Sequence, residues 1–346
     1  MAETDASLRS TELIEPNTWR PDLLGDRFEQ LTLPLGEDAE GEVVATLVRY
    51  RPRWKLRLTP GVASGADVLY VHGWSDYFFN PELAEYWAGL GARFYALDLR
   101  KYGRSLRPWQ KPGFIADLAG YDPDIAAALA AMGQPDATGS PSAPRSSRPL
   151  ILLGHSTGGL TLSLWAARHQ GRAAALVLNS PWLEFQLSKV GRQALLPMME
   201  LGARVDPLAP LPNVDLGFYT RAVAREQGGE WEYNHDWRPD RGFATSPAWL
   251  MAVLAGHTTV AAGIDVGAPV LTLLSARSSL LTRWDESMRS SDSVLVVDEI
   301  AERALKLGPS VTVQRIDGAL HDVFLSSEPA RSAAYAAITP WLRGYL

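Results

Sequence analysis

The sequence predicts an α/β protein with a mostly parallel central sheet, helices on both faces and a helical cap inserted late in the chain. Three observations lead there. Short apolar runs alternate with helix-like segments from about residue 66 onward, the rhythm of repeated strand–helix units. The run from Pro149 to Leu153 enters Gly154-His155-Ser156-Thr157-Gly158 and then a helix-like stretch, giving the order strand, tight turn, helix. Between residues 182 and 263 the alternation stops, and helical stretches separated by proline-rich and aromatic loops take its place.

The elements follow in order. Residues 1–25 are polar and proline-punctuated and read as a loose arm. Residues 28–35 and 43–50 alternate as a hairpin closed by the acidic turn 36–41. The first half of the core then runs to residue 181: strand 66–71, helix 81–90, strand 92–97, helix 121–132, strand 150–153, helix 160–169 and strand 174–178. Its apolar strands lack inside/outside alternation, as parallel strands buried on both faces do. Residues 133–148 are poor in apolar side chains and rich in Pro, Ser and Gly, so they read as a flexible surface insertion. The cap, 182–263, is expected to hold helices at 189–201, 216–225 and 247–255. The second half of the core, 264–346, supplies strand 269–274, helix 298–307, strand 311–316 and a closing helix 329–342.

Composition narrows the function. A chain of 346 residues with 46% hydrophobic and 21% charged residues can bury a substantial core. A net charge of −6 argues against nucleic acid as a partner, because phosphate binding calls for a basic face. The opening residues lack a basic-then-apolar leader, and no apolar run reaches the length of a membrane span, so a cytoplasmic protein without integral membrane association is expected. Cysteine is absent, which removes disulfides and thiolate nucleophiles. No paired-histidine metal spacing and no dinucleotide fingerprint occurs, so no cofactor is expected.

The turn at Ser156 carries the chemistry. A serine on a strained strand–helix turn needs glycine neighbours, and its hydroxyl then projects above the sheet at a helix N-terminus, where developing negative charge is favoured. Leu160 stands where a phosphate loop would need lysine, which excludes that reading. A serine hydroxyl needs a base, and the base needs an orienting acid; on this architecture the chain order is Ser, acid, His. Of His72, His155, His169, His235, His257 and His321, His321 follows the last strand, where a loop can hang it over Ser156. The loop after strand 269–274 reads Ser275-Ala276-Arg277-Ser278-Ser279 and has no carboxylate. The acid candidates are therefore Asp292, in a polar turn, then Asp285, read as solvated, and Asp298, read as a helix N-cap; Asp292 is preferred. Two backbone donors should meet the oxyanion: Thr157 after the nucleophile, and Trp74 in the loop that Gly73 lets approach closely. His72 reads as a hydrogen bonder that fixes this loop.

His72-Gly73-Trp74, the stretch from Asp98 to Ser105, Gly154-His155-Ser156-Thr157-Gly158-Gly159 and Gly318-Ala319-Leu320-His321-Asp322 resemble the α/β-hydrolase superfamily. Within it they are most similar to the monoacylglycerol lipase/lysophospholipase group, also called the serine aminopeptidase S33-like group. The resemblance implies the α/β-hydrolase fold and a serine hydrolase that acts on small-molecule or lipid esters with an apolar acyl group. Family members often carry the acid in a Gly-x-x-Asp turn directly after the strand, which this chain lacks; resemblance to members with the longer loop favours Asp292. Asp98 and Arg100 are expected to brace the neighbouring loop through an ion pair. The cap aromatic and apolar residues Trp182, Phe185, Leu195, Leu196, Met198, Met199, Phe218, Trp231, Tyr233, Trp237, Trp249 and Met251 could line an acyl pocket or form the cap's own core. Rival readings are an aminopeptidase using Glu226, Glu230 and Glu232 to hold an amine, an acyltransferase with the same three residues, and a non-catalytic ligand-binding protein.

Overall fold

A computed structural model describes residues 18–53, 59–135, 148–185, 202, 204–211 and 215–346. Its strands are β1 (Arg20–Pro21), β2 (Phe28–Asp38), β3 (Gly41–Tyr50), β4 (Asp67–Val71), β5 (Arg93–Asp98), β6 (Leu150–His155), β7 (Ala175–Asn179), β8 (Val270–Ser275) and β9 (Val311–Ile316). They hydrogen-bond in the order β1-β2-β3-β5-β4-β6-β7-β8-β9. The pairs up to β3–β5 are antiparallel, and every pair from β5 to β9 is parallel. All residues of β4, β6, β7 and β8 are buried, which is why these segments read as unbroken apolar runs.

The sheet is accompanied by helices α1 (Pro81–Gly89), α2 (Asp122–Ala131), α3 (Thr157–Arg168), α4 (Phe218–Val223), α5 (Pro247–Ala262), α6 (Val297–Ala304) and α7 (Glu328–Leu342). The strand period of two splits the core across the sheet. Leu69, Val71, Leu152 and Leu178 pack with Ile125, Leu160, Trp165 and Val253 on one face. Val68, Tyr70, Ile151 and Leu153 pack with Leu83, Trp87, Phe324 and Ile338 on the other. Strand order reverses at β4, which has β5 on one side and β6 on the other. The connections leaving β4 and β6 therefore diverge and open a crevice at their carboxyl ends, where open α/β sheets bind ligands. Both predicted active-site loops start there.

Several expectations need correction. The arm reading fails from Trp19 onward. Arg20–Pro21 pairs with β2, and Arg49 lies 3.9 Å over the Trp19 ring. The cause is a buried charge: Arg104 donates to Asp22 at 2.6 and 2.9 Å and to Asp98 at 2.8 Å. Residues 1–17 of the arm lie outside the described residues. Asp22→Ala should destabilise the fold by about 3 kcal/mol, because it leaves a guanidinium buried beside one carboxylate instead of two; a lower urea midpoint than wild type is the expected observation.

Asp98 therefore does not pair with Arg100, whose side chain instead donates to Asp124 at 2.8 Å. Asp298 is not an N-cap: Val296 takes that place, and Asp298 pairs with Arg315 on the surface at 2.6 Å. The hairpin strands extend into the acidic turn because Lys101, almost wholly buried, sits 2.6 Å from Asp38 and also binds Glu40. Helix α5 outruns its predicted end at 255. Thr258 and Thr259 hydroxyls donate to the carbonyls of Leu254 and Ala255, and Gly263 at φ +93° stops the helix. Helix α4 is shorter than 216–225. The expected helix at 189–201, with Leu195, Leu196, Met198 and Met199, and residues 136–147 of the insertion lie outside the described residues.

Candidate active site

The turn between β6 and α3 is built by what its neighbours exclude. A Cβ on Gly154 would stand 2.6 Å from the Gly159 Cα, and one on Gly158 would stand 2.3 Å from the His72 carbonyl oxygen. Glycine at both positions lets β6, α3 and the His72 loop close on one another. Ser156 takes φ +50° and ψ −117°, a sparsely populated conformation held by Ser156 N donating to Asn179 O at 3.0 Å and Trp182 N donating to Ser156 O at 2.9 Å.

His321 reaches Ser156 across 165 positions because the loop after β9 is pinned on three sides. Ser275 donates from Oγ to Ala319 O at 2.7 Å, and Leu320 N donates to Ser326 Oγ at 2.8 Å. Asn179, at the end of β7, donates to Asp322 at 2.6 Å and accepts from Val323 N at 3.0 Å. The result puts His321 Nε2 3.0 Å from Ser156 Oγ and Nδ1 3.0 Å from Asp292 Oδ2. Asp292 is fully buried, and its Oδ1 accepts from Val294 N and Leu295 N at 2.8 Å each.

Asp292 lies well beyond β8 in sequence yet returns to its end. Asp292 N donates to Arg277 O at 3.0 Å and Ser279 N donates to Asp292 O at 2.8 Å, so residues 280–291 loop out and come back. Asp285 is exposed and caps the short 3-10 turn Glu286–Ser290, with its carboxylate on Ser287 N. Neither Asp285 nor Asp298 approaches the histidine.

The loop after β4 closes over the serine. A Cβ at Gly73 would meet Ser156 Cβ at 3.0 Å, so the backbone of 73–74 lies against the elbow. His72 fixes this loop: Leu99 N donates to its Nε2 at 3.1 Å and its Nδ1 donates to Gly73 O at 2.7 Å. Burial pushes the His72 imidazolium down and keeps the ring neutral, as that pair of bonds requires. Trp74 packs on Trp249 with ring centres 3.9 Å apart and edge-on to Tyr102 at 5.8 Å. Thr157 is the first residue of α3, so its N–H has no partner within the helix.

Residues 63–328 match the family described as serine aminopeptidase, S33. The chain belongs to that family. A monoacylglycerol lipase of Mycolicibacterium smegmatis is 25% identical over 293 residues, covering 83% of this chain and 91% of that protein. The solved monoacylglycerol lipase of Paleococcus ferrophilus superposes with a TM-score of 0.57 at 19% identity, over 83% of this chain and 97% of its own. A soluble variant of the Saccharomyces cerevisiae monoglyceride lipase gives 0.59 at 13% identity, over 98% of each chain. This S33 protein has the α/β-hydrolase fold.

His169, His235 and His257 of this S33 protein lie away from Ser156. His169 stacks on Trp165, His235 sits on the surface between Glu226 and Asp240, and His257 bonds the carbonyl of Trp182. Of the expected pocket residues, Trp231 donates to Leu325 O at 2.9 Å and packs with Tyr77 and Phe79, whereas Trp249 belongs to the main core. Trp182 and Phe185 stay partly buried beside Trp249. Sequence reasoning missed Asn179, Ser275 and Tyr219, whose ring lies edge-on to His321 at 5.4 Å. Asn179 had a signal, being the polar end of an apolar strand; Tyr219 had none. Among the described residues no group of three or more His, Asp or Glu is arranged to hold a metal ion.

Proposed function

We propose that this protein hydrolyses carboxylic esters with an apolar acyl group, monoacylglycerol- or lysophospholipid-like, through an acyl-enzyme on Ser156. The observation that carries the reading is the line Ser156–His321–Asp292, with both contacts at 3.0 Å. With Asp292 accepting from Nδ1–H, His321 presents a bare Nε2 to the serine hydroxyl and takes its proton as Oγ attacks the ester carbonyl. The N–H groups of Trp74 and Thr157 receive the charge on the carbonyl oxygen; losing one such donor costs about 3–4 kcal/mol of barrier. His321 then protonates the departing alcohol, and a water deprotonated by the same imidazole releases the acid. The apolar acyl group is supported by the partly buried aromatic side chains of Trp74, Trp182 and Phe185 near the elbow, and by the lipases of monoacylglycerols among the relatives.

The peptide reading finds less support. Glu226 binds His235 at 2.8 Å, Glu232 binds Arg225 at 2.7 Å, and Glu230 binds Arg331, so each carboxylate proposed to hold a free amine already has a side-chain partner, a guanidinium in two of the three cases. Turnover of p-nitrophenyl esters of increasing chain length tests the proposal. Activity that rises beyond acetate is expected, with no naphthylamine released from amino-acyl naphthylamides; inactivity on every chain length would remove the ester reading. A fluorophosphonate probe should label the wild type and leave Ser156→Ala unlabelled, which separates a hydrolase from a binding protein on the same fold.

A further inference from the structure

Beneath the nucleophile lies a buried charge cluster that the proposed chemistry does not use. His155, the residue before Ser156, is 2% exposed; its Nδ1 lies 3.6 Å from Asp76 Oδ2 and 3.8 Å from Asp322 Oδ2. Asp76 Oδ1 lies 3.3 Å from Nε of Arg238, whose guanidinium is caged over the rings of Tyr233 and Tyr219 at 4.5 and 5.0 Å. The His155 ring is 5.0 Å from that of His321, and a Cβ on Gly73 would touch Nδ1 of His155 at 3.1 Å.

Each charge comes from a different part of the site. Asp76 follows Trp74 by two residues, and Asp322 adjoins His321. Arg238 belongs to the segment inserted between β7 and β8. Two carboxylates and one guanidinium leave a buried negative charge unless the imidazole carries a proton. Burial alone would push the His155 imidazolium down, but Asp322 and Asp76 outweigh it and raise His155 above its ordinary value. Burial likewise opposes the Asp76 carboxylate, and His155 and Arg238 overcome it and hold Asp76 below its ordinary value. The titratable neighbours His72, Tyr70 and Tyr219 add no charge at neutral pH, since burial keeps His72 neutral and both phenols protonated. His321 and, behind it, Asp292 border the cluster on the substrate side, and Asp98 beyond His72 is matched by Arg104.

We propose that His155 is a cationic positioning residue whose imidazolium ties the loop bearing Trp74 to the loop bearing His321, with Arg238 anchoring the inserted segment to the same cluster. The inference rests on the reading that Ser156 and His321 perform the chemistry. Its sign is fixed by the direction of the shift. The cation is present below the raised His155 pKa and lost as pH rises through it, leaving Asp76 and Asp322 opposed and the two loops free to part. Its contribution to folding stability is complete below the ordinary histidine pKa and disappears over the same rise.

Ester hydrolysis is measured against pH for wild type, His155→Gln, Asp76→Asn and the double variant. The wild type should lose kcat on the alkaline side. His155→Gln should be slower by at least about tenfold at neutral pH and lack that alkaline fall; adding Asp76→Asn should recover most of the loss, since Arg238 then balances Asp322. Wild-type kcat with an unchanged alkaline limb in His155→Gln, or losses that simply add in the double variant, would overturn the proposal. Nitrogen-15 spectra of labelled histidine in Ser156→Ala give a readout independent of turnover and of whether His155→Gln folds. Both ring nitrogens of His155 should keep their protons to higher pH than free histidine does, and a ring that turns neutral at or below the ordinary histidine pKa sinks the inference even if the esterase reading stands. A wild type inert toward every ester, with His155 cationic, would instead fault the esterase reading alone.

Discussion

Ser156→Ala should lower kcat/KM for ester hydrolysis by about 10⁶-fold, His321→Ala by a similar factor, and the two together by no more than either alone. The reason is that the hydroxyl and the imidazole act as one unit: without the base the serine is a weak nucleophile, and without the serine the base has nothing to activate on the acyl path. What should survive is the proposed donation from Trp74 and Thr157 to the carbonyl oxygen of an ester attacked by water, a residual of about 10³–10⁴ over the uncatalysed rate. The fold should not suffer. Ser156 Oγ has its contact to His321, and the backbone bonds through Asn179 and Trp182 that hold φ at +50° do not depend on the side chain. Thermal midpoints matching wild type alongside the lost turnover would assign the effect to chemistry. Turnover within a factor of ten of wild type in either variant would mean that the acyl chemistry lies elsewhere.

Much of this arrangement was legible in the sequence where one local constraint acts at a time. The strands β4, β6, β7 and β8 announce themselves because burial on both faces leaves no polar interruption, and the elbow announces itself because Gly154 and Gly158 have backbone where a side chain would sit. The placement of His321 against Ser156 was legible from chain order and position after the last strand. The sequence was opaque where partners come from distant segments. Arg104 joins Asp22, 82 residues away, to its near neighbour Asp98, and thereby turns part of an apparent arm into sheet. Arg100 turns to Asp124 for the same reason, leaving Asp98 to Arg104. The charge cluster around His155 escaped notice because its four members lie on four separate segments, and no spacing joins them.

Asp292→Asn should reduce kcat by about 10⁴-fold with KM little changed, even though the variant keeps nearly every contact of the aspartate. The carboxylate of Asp292 has divided duties. Oδ1 accepts two backbone N–H bonds from Val294 and Leu295, and Oδ2 faces His321 Nδ1 at 3.0 Å. An asparagine can keep the first duty only by turning its carbonyl oxygen toward Val294 and Leu295, and that presents its NH₂ group to the histidine. His321 must then accept at Nδ1 and carry its proton on Nε2, the atom that has to receive the serine proton. The geometry survives while the tautomer is wrong, so the loss appears in kcat rather than in substrate binding. Asp285→Asn and Asp298→Asn serve as controls and should stay within about twofold of wild type, because surface side chains away from the site contribute little. Asp285 is spent on capping Ser287 and Asp298 on Arg315. An Asp292→Asn enzyme within tenfold of wild type, or an Asp285→Asn enzyme that is severely impaired, would remove Asp292 from the role of orienting acid.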